Sequence, residues 1–62
     1  MEGIDMTGTV IEDRAGVRVE RFRTKRARAY VIVVDDVPQR EYYYSSGWAC
    51  ENAQLIRDER HA

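Results

Sequence analysis

The chain has 62 residues, of which 44% are hydrophobic and 34% charged, and its formal net charge is -1. This composition is typical of a globular domain and excludes a disordered chain. A single cysteine, Cys50, excludes an internal disulfide, and with His61 as the one histidine a four-ligand zinc site is short of donors. We expect no metal and no cofactor. Because so short a chain buries only about 60% of its surface, we predict a homodimer.

The first ten residues, "MEGIDMTGTV", have neither the basic region nor the apolar stretch of a signal peptide. The longest apolar run, "AYVIVV" at 29–34, is too short to span a membrane. An unpaired cysteine is typical of a reducing compartment. The sequence therefore predicts a cytoplasmic protein that does not enter the membrane.

We interpret residues 1–62 as one domain that begins with a flexible arm, 1–6. Residues 7–46 then read as antiparallel strands, the first being "TGTVIED" at 7–13. The stretch "DRAG", 13–16, has the residues of a turn, with Gly16 free to adopt positive φ. In "VRVERFR", 17–23, Val17 and Val19 alternate with polar residues, which indicates a half-exposed strand.

After the polar connection "TKR" comes "ARAYVIVVD", 27–35, whose consecutive apolar residues predict a central strand covered on both faces. "DDVPQ", 35–39, is predicted to be a turn because Pro38 restricts its own φ and that of Val37. "REYYYSS", 40–46, returns as a fourth strand, with Tyr42 and Tyr44 on one face and Tyr43 on the other.

The C-terminal residues change to helical periodicity and predict a helix over 47–60, with Ser45 or Ser46 as its N-cap. Asn52 falls within the apolar arc, where it either forms a structural hydrogen bond to a loop or strand or contacts a ligand. The predicted fold is α+β: an antiparallel sheet of three to four strands followed by one C-terminal amphipathic helix packed on one face. The residues of the predicted apolar arc are Trp48, Ala49, Ala53, Leu55 and Ile56.

Two known families resemble parts of this pattern. "DRAG" before an arginine-rich strand, and "YSSGWACENAQLI" at the start of the helix, resemble the YegP-like family of small, poorly characterised domains with three antiparallel strands and a helix. That resemblance implies a single unit that dimerises in place of the family's tandem pair, and it implies no activity. The outline also resembles the AP2-like DNA-binding domains of tyrosine integrases, which place the sheet in the major groove, although such architectural similarity does not decide function.

No catalytic constellation is present in the sequence. Cys50 has no histidine nearby to act as a base, because His61 is the penultimate residue. We therefore interpret Cys50 as a small residue at the edge of the buried helix face. Asp35 and Asp36 are interpreted as turn residues rather than a metal or acid/base site. The sequence predicts a protein that is not an enzyme.

The distribution of charge is the strongest functional signal. Residues 14–28 hold seven basic residues and one acid, whereas the rest of the chain holds three basic and ten acidic residues. Arg14 and Arg18 are expected to pair with acids across the first hairpin, and Arg28 with Glu41. Cations without an acidic neighbour are typical of phosphate binding, so we predict a small regulatory or accessory module that binds DNA or RNA. The alternative is a protein-interaction module, of a phage-type or accessory factor, with an acidic partner. The candidate residues for either role are Arg21, Phe22, Arg23, Lys25, Arg26, Arg28 and Tyr30.

Overall fold

The computed structural model describes residues 8–61 of the chain. The strands are β1 (Thr9–Arg14), β2 (Val17–Arg23), β3 (Arg28–Val34) and β4 (Val37–Tyr43), and helix α1 spans Ser46–His61. The strands form one antiparallel sheet in the order β1-β2-β3-β4, and α1 packs on one face of it. The predicted fold class is therefore confirmed. The arm predicted over residues 1–6 lies outside the described residues.

Two-residue turns close the hairpins β1–β2 and β3–β4. Ala15 and Gly16 have φ values of 57° and 77°, and Asp35 and Asp36 have φ values of 51° and 67°. Positive φ at both central residues is the arrangement that matches the right-handed twist of the flanking strands. The turn predicted within "DRAG" is confirmed at Ala15 and Gly16, while Arg14 belongs to β1.

Pro38 lies within β4, directly opposite Val33. The prediction of a turn over 35–39 and a strand over 40–46 is therefore wrong about where the strand begins. Asp35 and Asp36 complete the reversal alone, so extended structure resumes at Val37. Because β4 is at the edge of the sheet, the N–H that proline lacks does not remove a bond from a central ladder.

The core lies between α1 and the two central strands. Its buried members are Val17, Val19, Tyr30, Ile32, Ala49 and Ala53. The two alanines let the helix approach the sheet closely. Trp48 and Leu55 remain 61% and 58% exposed, so their predicted place in the buried arc is wrong. The buried helical residues are instead Ala49, Ala53 and Arg57, at intervals of four residues, which is a narrower stripe than the sequence pattern indicated.

Strand β3 is buried on both of its faces, as predicted. Tyr30 and Ile32 face the helix, while Val31 and Val33 point to the opposite face and are 8% and 3% exposed. Among residues 8–61 no helix or strand lies over that opposite face, which we call the open face. Neighbouring side chains of the sheet, including Phe22, cover the two valines there.

The direction of α1 distinguishes the two ends of the sheet. The helix follows Tyr43, which pairs with Tyr30, which in turn pairs with Arg21. Its C-terminal Arg60 reaches Asp35 in the opposite turn, with N–O distances of 3.1 and 3.2 Å. The start of α1 therefore lies toward the β2–β3 hairpin loop, and its end lies beside the two tight turns.

Candidate nucleic-acid interface

The loop between β2 and β3 is ordered by one side chain, that of Thr24. Its Oγ1 accepts hydrogen bonds from the amides of Arg26 and Ala27 at 3.2 and 3.1 Å and donates to the carbonyl of Ala27 at 2.8 Å. The amide of Thr24 also donates to the Ala27 carbonyl at 2.9 Å. Hydrogen bonds from a threonine side chain to its own loop take the place of the backbone hydrogen bonds that join the two strands elsewhere. The loop therefore presents Lys25 and Arg26 from a closed turn.

Five cations surround this loop, and we call them the hairpin cations: Arg21, Arg23, Lys25, Arg26 and Arg28. No carboxylate of residues 8–61 lies within ion-pair distance of any of them. The expected pair between Arg28 and Glu41 is thus absent, because the two residues lie on opposite sides of the Tyr30–Tyr43 pair along β3 and β4. On β2, Arg23 lies directly opposite Arg28. Like charges directly opposite one another destabilise an antiparallel pair.

Alternation along the strands decides which face carries these side chains. Arg21 lies opposite Tyr30, a core residue on the helix side, and Arg23 and Arg28 lie one alternation further toward the loop. Arg21, Arg23 and Arg28 therefore project on the same face of the sheet as α1. Arg23, Lys25, Arg26 and Arg28 are exposed, and Arg21 is half-buried.

The two aromatic candidates of this segment have other positions than expected. Tyr30 is 9% exposed and belongs to the core, so the interpretation that it offers aromatic surface is wrong. Phe22 lies half-buried on the open face, where its ring meets that of Tyr42 edge-on, with centroids 5.2 Å apart and an interplanar angle of 76°. Of the two, only Phe22 retains partial access to solvent, on the face away from the helix.

Exposed aromatic side chains occur instead at the start of α1. Tyr44 and Trp48 are 64% and 61% exposed. The backbone of Trp48 is held on both sides, because its N–H donates to the N-cap Oγ of Ser45 at 3.4 Å and its carbonyl accepts from Asn52 Nδ2 at 2.8 Å. Asn52 therefore bonds its own helix, and not the loop or strand predicted for it. Sequence reasoning missed Trp48 as an exposed aromatic residue because it assigned this side chain to the buried arc of the helix.

Arginines at the other end of the sheet are paired. Arg18 lies opposite an acid of the first hairpin, Asp13, as expected. Its ion pairs are formed elsewhere, because its Nε donates to Glu20 and its NH1 donates to Asp36 at 2.8 Å. The hydrogen bond to Asp36, followed by that to Glu20, raises the pKa of Arg18 above its usual value. Arg60 pairs with Asp35 at 3.1 Å. The charges of this end are mutually neutralised, in contrast to the hairpin cations.

Arg57 is buried, with 3% of its surface exposed, and it ties the helix to the first hairpin. Its NH2 donates to the carbonyl of Val17 at 2.8 Å and its Nε to the carbonyl of Arg14 at 3.0 Å. Its NH1 donates to Glu12 Oε1 at 3.0 Å and to Gln54 Oε1 at 3.2 Å. The four-residue interval from Ala49 through Ala53 is a sequence signal that could have identified this position.

Cys50 is half-buried and packs against the core, as predicted. Burial, and after it the charge of Glu12, raises the pKa of the thiol, which keeps it protonated and weakly nucleophilic. Within residues 8–61 no three histidine, cysteine or acidic side chains come together as a metal site. The described helix is not long and apolar enough to cross a membrane.

A shallow cavity of about 240 Å³ occupies the open face. Val31 and Val33 lie at its base, and Phe22, Pro38 and Tyr42 form apolar walls. Its rim carries Arg18, Glu20, Gln39, Arg40 and Asp36, in which acids and bases are equal in number. This cavity is neutral overall and lies on the face opposite to most of the hairpin cations.

No protein-family model, curated protein or solved structure matches the chain. The resemblances to YegP-like and AP2-like domains therefore stay predictions. Any functional argument rests on the geometry and chemistry of the chain's own residues.

Proposed function

We propose that this protein is a small non-enzymatic regulatory or accessory module that binds nucleic acid through its hairpin cations. The observation that carries the proposal is the opposition of Arg23 and Arg28 across the hairpin, with no carboxylate of residues 8–61 near either. This arrangement costs stability in the free protein. A phosphate backbone removes that cost, because it supplies anions at regular short intervals.

The form of the hairpin supports the same proposal. A two-stranded β-ribbon is narrow enough to enter a major groove about 12 Å wide. The loop of Thr24–Ala27 is closed by its own hydrogen bonds, so little ordering entropy is lost when Lys25 and Arg26 meet a ligand. The long arginine side chains beside the loop extend the contact surface along the ribbon.

The experiment is a salt titration of binding, measured by fluorescence anisotropy with labelled duplex and single-stranded oligonucleotides. Binding of phosphates releases counterions, so log affinity should fall linearly with log salt, by about 0.9 per duplex phosphate contacted. The double variant Arg23→Ala/Arg26→Ala should lower this slope by about 1.8 on duplex DNA. The matched control is Arg14→Ala/Arg60→Ala, which removes the same charge from the opposite end and should leave the slope almost unchanged.

Absence of binding to duplex DNA, single-stranded DNA and RNA at low salt would reject the proposal. The same basic surface would then be assigned to an acidic protein partner, and polyglutamate would be the first probe. Equal effects of the two double variants would show that net charge, and not the hairpin, determines binding.

We also propose that the chain forms a homodimer through its open face. Both edges of the sheet carry a register shift, which disfavours pairing between edges. On the open face Val10 and Tyr42 are 49% and 48% exposed. Arg40 there has no carboxylate of residues 8–61 within ion-pair distance, so in a symmetric dimer its charge is available to a carboxylate of the second copy.

Sedimentation equilibrium at high micromolar concentration tests the dimer. We expect a mass of twice 7.3 kDa for the natural sequence and a shift toward the monomer for Tyr42→Arg. The control Leu55→Arg introduces the same charge on the exposed surface of α1, on the other face of the sheet, and should remain dimeric. A monomer at all concentrations would contradict the assembly without affecting the binding proposal.

A further inference from the structure

Trp48 belongs to α1 and therefore lies on the same face of the sheet as three of the hairpin cations. Tyr43 pairs with Tyr30, and Tyr30 pairs with Arg21, so these three residues form a row across the sheet. At a strand spacing of about 4.8 Å, the Cα atoms of Tyr43 and Arg21 are about 10 Å apart. Tyr44 follows Tyr43 directly, and Trp48 lies in the first turns of the helix.

The start of α1, which carries Trp48, is the end of the helix nearer to the hairpin cations. Side chains of an α-helix tilt toward its N-terminus, which here points to the β2–β3 loop. Arg28 lies two residues from Tyr30 along β3, in the direction of the β2–β3 loop. This adds about 7 Å. The backbone of Tyr43, close to the start of α1, is therefore separated from the backbone of Arg21 and Arg28 by roughly the rise of three to four nucleotides, at about 3.4 Å per nucleotide in a stacked strand.

The exposure of Trp48 is not explained by the fold. Its ring remains 61% exposed although an apolar core lies directly beneath the same helix. The cap at Ser45 and the Asn52 hydrogen bond fix the backbone that carries Trp48, so the ring is presented from a rigid position. Rigid exposed aromatics beside unpaired cations are the combination that binds single-stranded nucleic acid, with bases on the rings and phosphates on the cations.

We infer that Trp48 forms a stacking platform for the bases of a single-stranded nucleic acid whose phosphates contact the hairpin cations. This inference rests on the proposed function and specifies its substrate class. A duplex keeps its bases paired and stacked within the helix, so it can use the cations but not the platform. The protein should therefore bind a single strand more tightly than a duplex of equal length at the same salt concentration.

The fluorescence of Trp48 provides a direct test, because the chain has one tryptophan. Oligothymidylate should quench this emission as it binds, while a duplex of equal length should bind with little quenching. The variant Trp48→Leu should weaken binding of the single strand by about 5-fold to 150-fold and leave its salt slope unchanged. Leu55→Ala is the matched control, because Leu55 is 58% exposed on the same helix but is not aromatic. It should bind as the natural sequence does.

Circular dichroism of each variant verifies that the fold is retained. The platform would be overturned if anisotropy showed that oligothymidylate binds while the emission of Trp48 is not quenched. It would also be overturned if Trp48→Leu bound oligothymidylate with the affinity of the natural sequence. The proposed function would survive that result if the Arg23→Ala/Arg26→Ala variant still reduced the salt slope. Absence of any binding would overturn both.

Discussion

Replacement of Arg57 by alanine should destabilise the protein more than replacement of any exposed arginine. The guanidinium donates to the carbonyls of Val17 and Arg14 and to the carboxylate of Glu12. Loss of one partner of a buried charged pair costs about 3–5 kcal/mol. Glu12 is 26% exposed and can regain water, so we take the lower limit, about 3 kcal/mol.

That loss is large for a chain of this size. At about 0.05–0.15 kcal/mol per residue, a 62-residue domain has a total stability of about 3–9 kcal/mol. A loss of about 3 kcal/mol should lower the melting temperature by about 12–24 °C. The assay is urea unfolding followed by circular dichroism, since Trp48 is exposed in the folded state and reports poorly on the core.

Two further variants separate the causes of the effect. Arg57→Met keeps an unbranched stem in the same volume and removes the donors, so it isolates the hydrogen bonds from the packing. Arg60→Ala is the control, because Arg60 is 38% exposed and its pair with Asp35 should contribute only about 0–1 kcal/mol. If Arg57→Ala lost no more stability than Arg60→Ala, the role assigned to Arg57 in holding the helix against the first hairpin would be refuted.

Two more predictions concern the turn and the response to alkali. Ala15 has a φ of 57°, which glycine adopts without strain, so Ala15→Gly should raise the free energy of unfolding by about 0.5–1 kcal/mol in urea titrations. Ala27→Gly, at a loop position without positive φ, should not, and a gain there would contradict the reasoning. Burial and then the charge of Glu41 raise the pKa of Tyr43, while burial raises that of Cys50. The folded state retains the protons of both groups to a higher pH than the unfolded state does. The stability that these groups contribute to the folded state is therefore complete below about pH 8.5 for the thiol and about pH 10 for the phenol. This stabilisation is lost as the pH rises through the folded-state pKa values of the two groups. The urea concentration at the unfolding midpoint should therefore be lower at a pH above the folded-state pKa of Tyr43 than at neutral pH. A midpoint that does not change with pH would contradict both pKa shifts.

Much of the fold was predictable because it depends on interactions between residues that are near each other in the sequence. The alternation of Val17 and Val19 identifies a strand with one buried face, and the apolar run of β3 identifies a central strand. Ser45 caps the helix through a hydrogen bond three residues away. The concentration of cations near the loop was likewise visible in the sequence, since it needs no tertiary contact to exist.

Tertiary packing decided which side chains are buried and which charges are paired. Leu55 and Trp48 are as apolar as the residues that fill the core, but both side chains are exposed. The helix instead contacts the sheet through Ala49, Ala53 and Arg57. Small side chains allow a close approach, and the guanidinium of Arg57 reaches the backbone carbonyls of the first hairpin. Pro38 joins a strand because the two aspartates before it complete the turn. Arg18 pairs with Asp36 from another hairpin, while the hairpin cations have no acid of residues 8–61 to meet. Periodicity within a segment does not predict the burial of Arg57 or the pairing of Arg18, because these contacts join atoms of residues that lie 18 or more positions apart in the sequence.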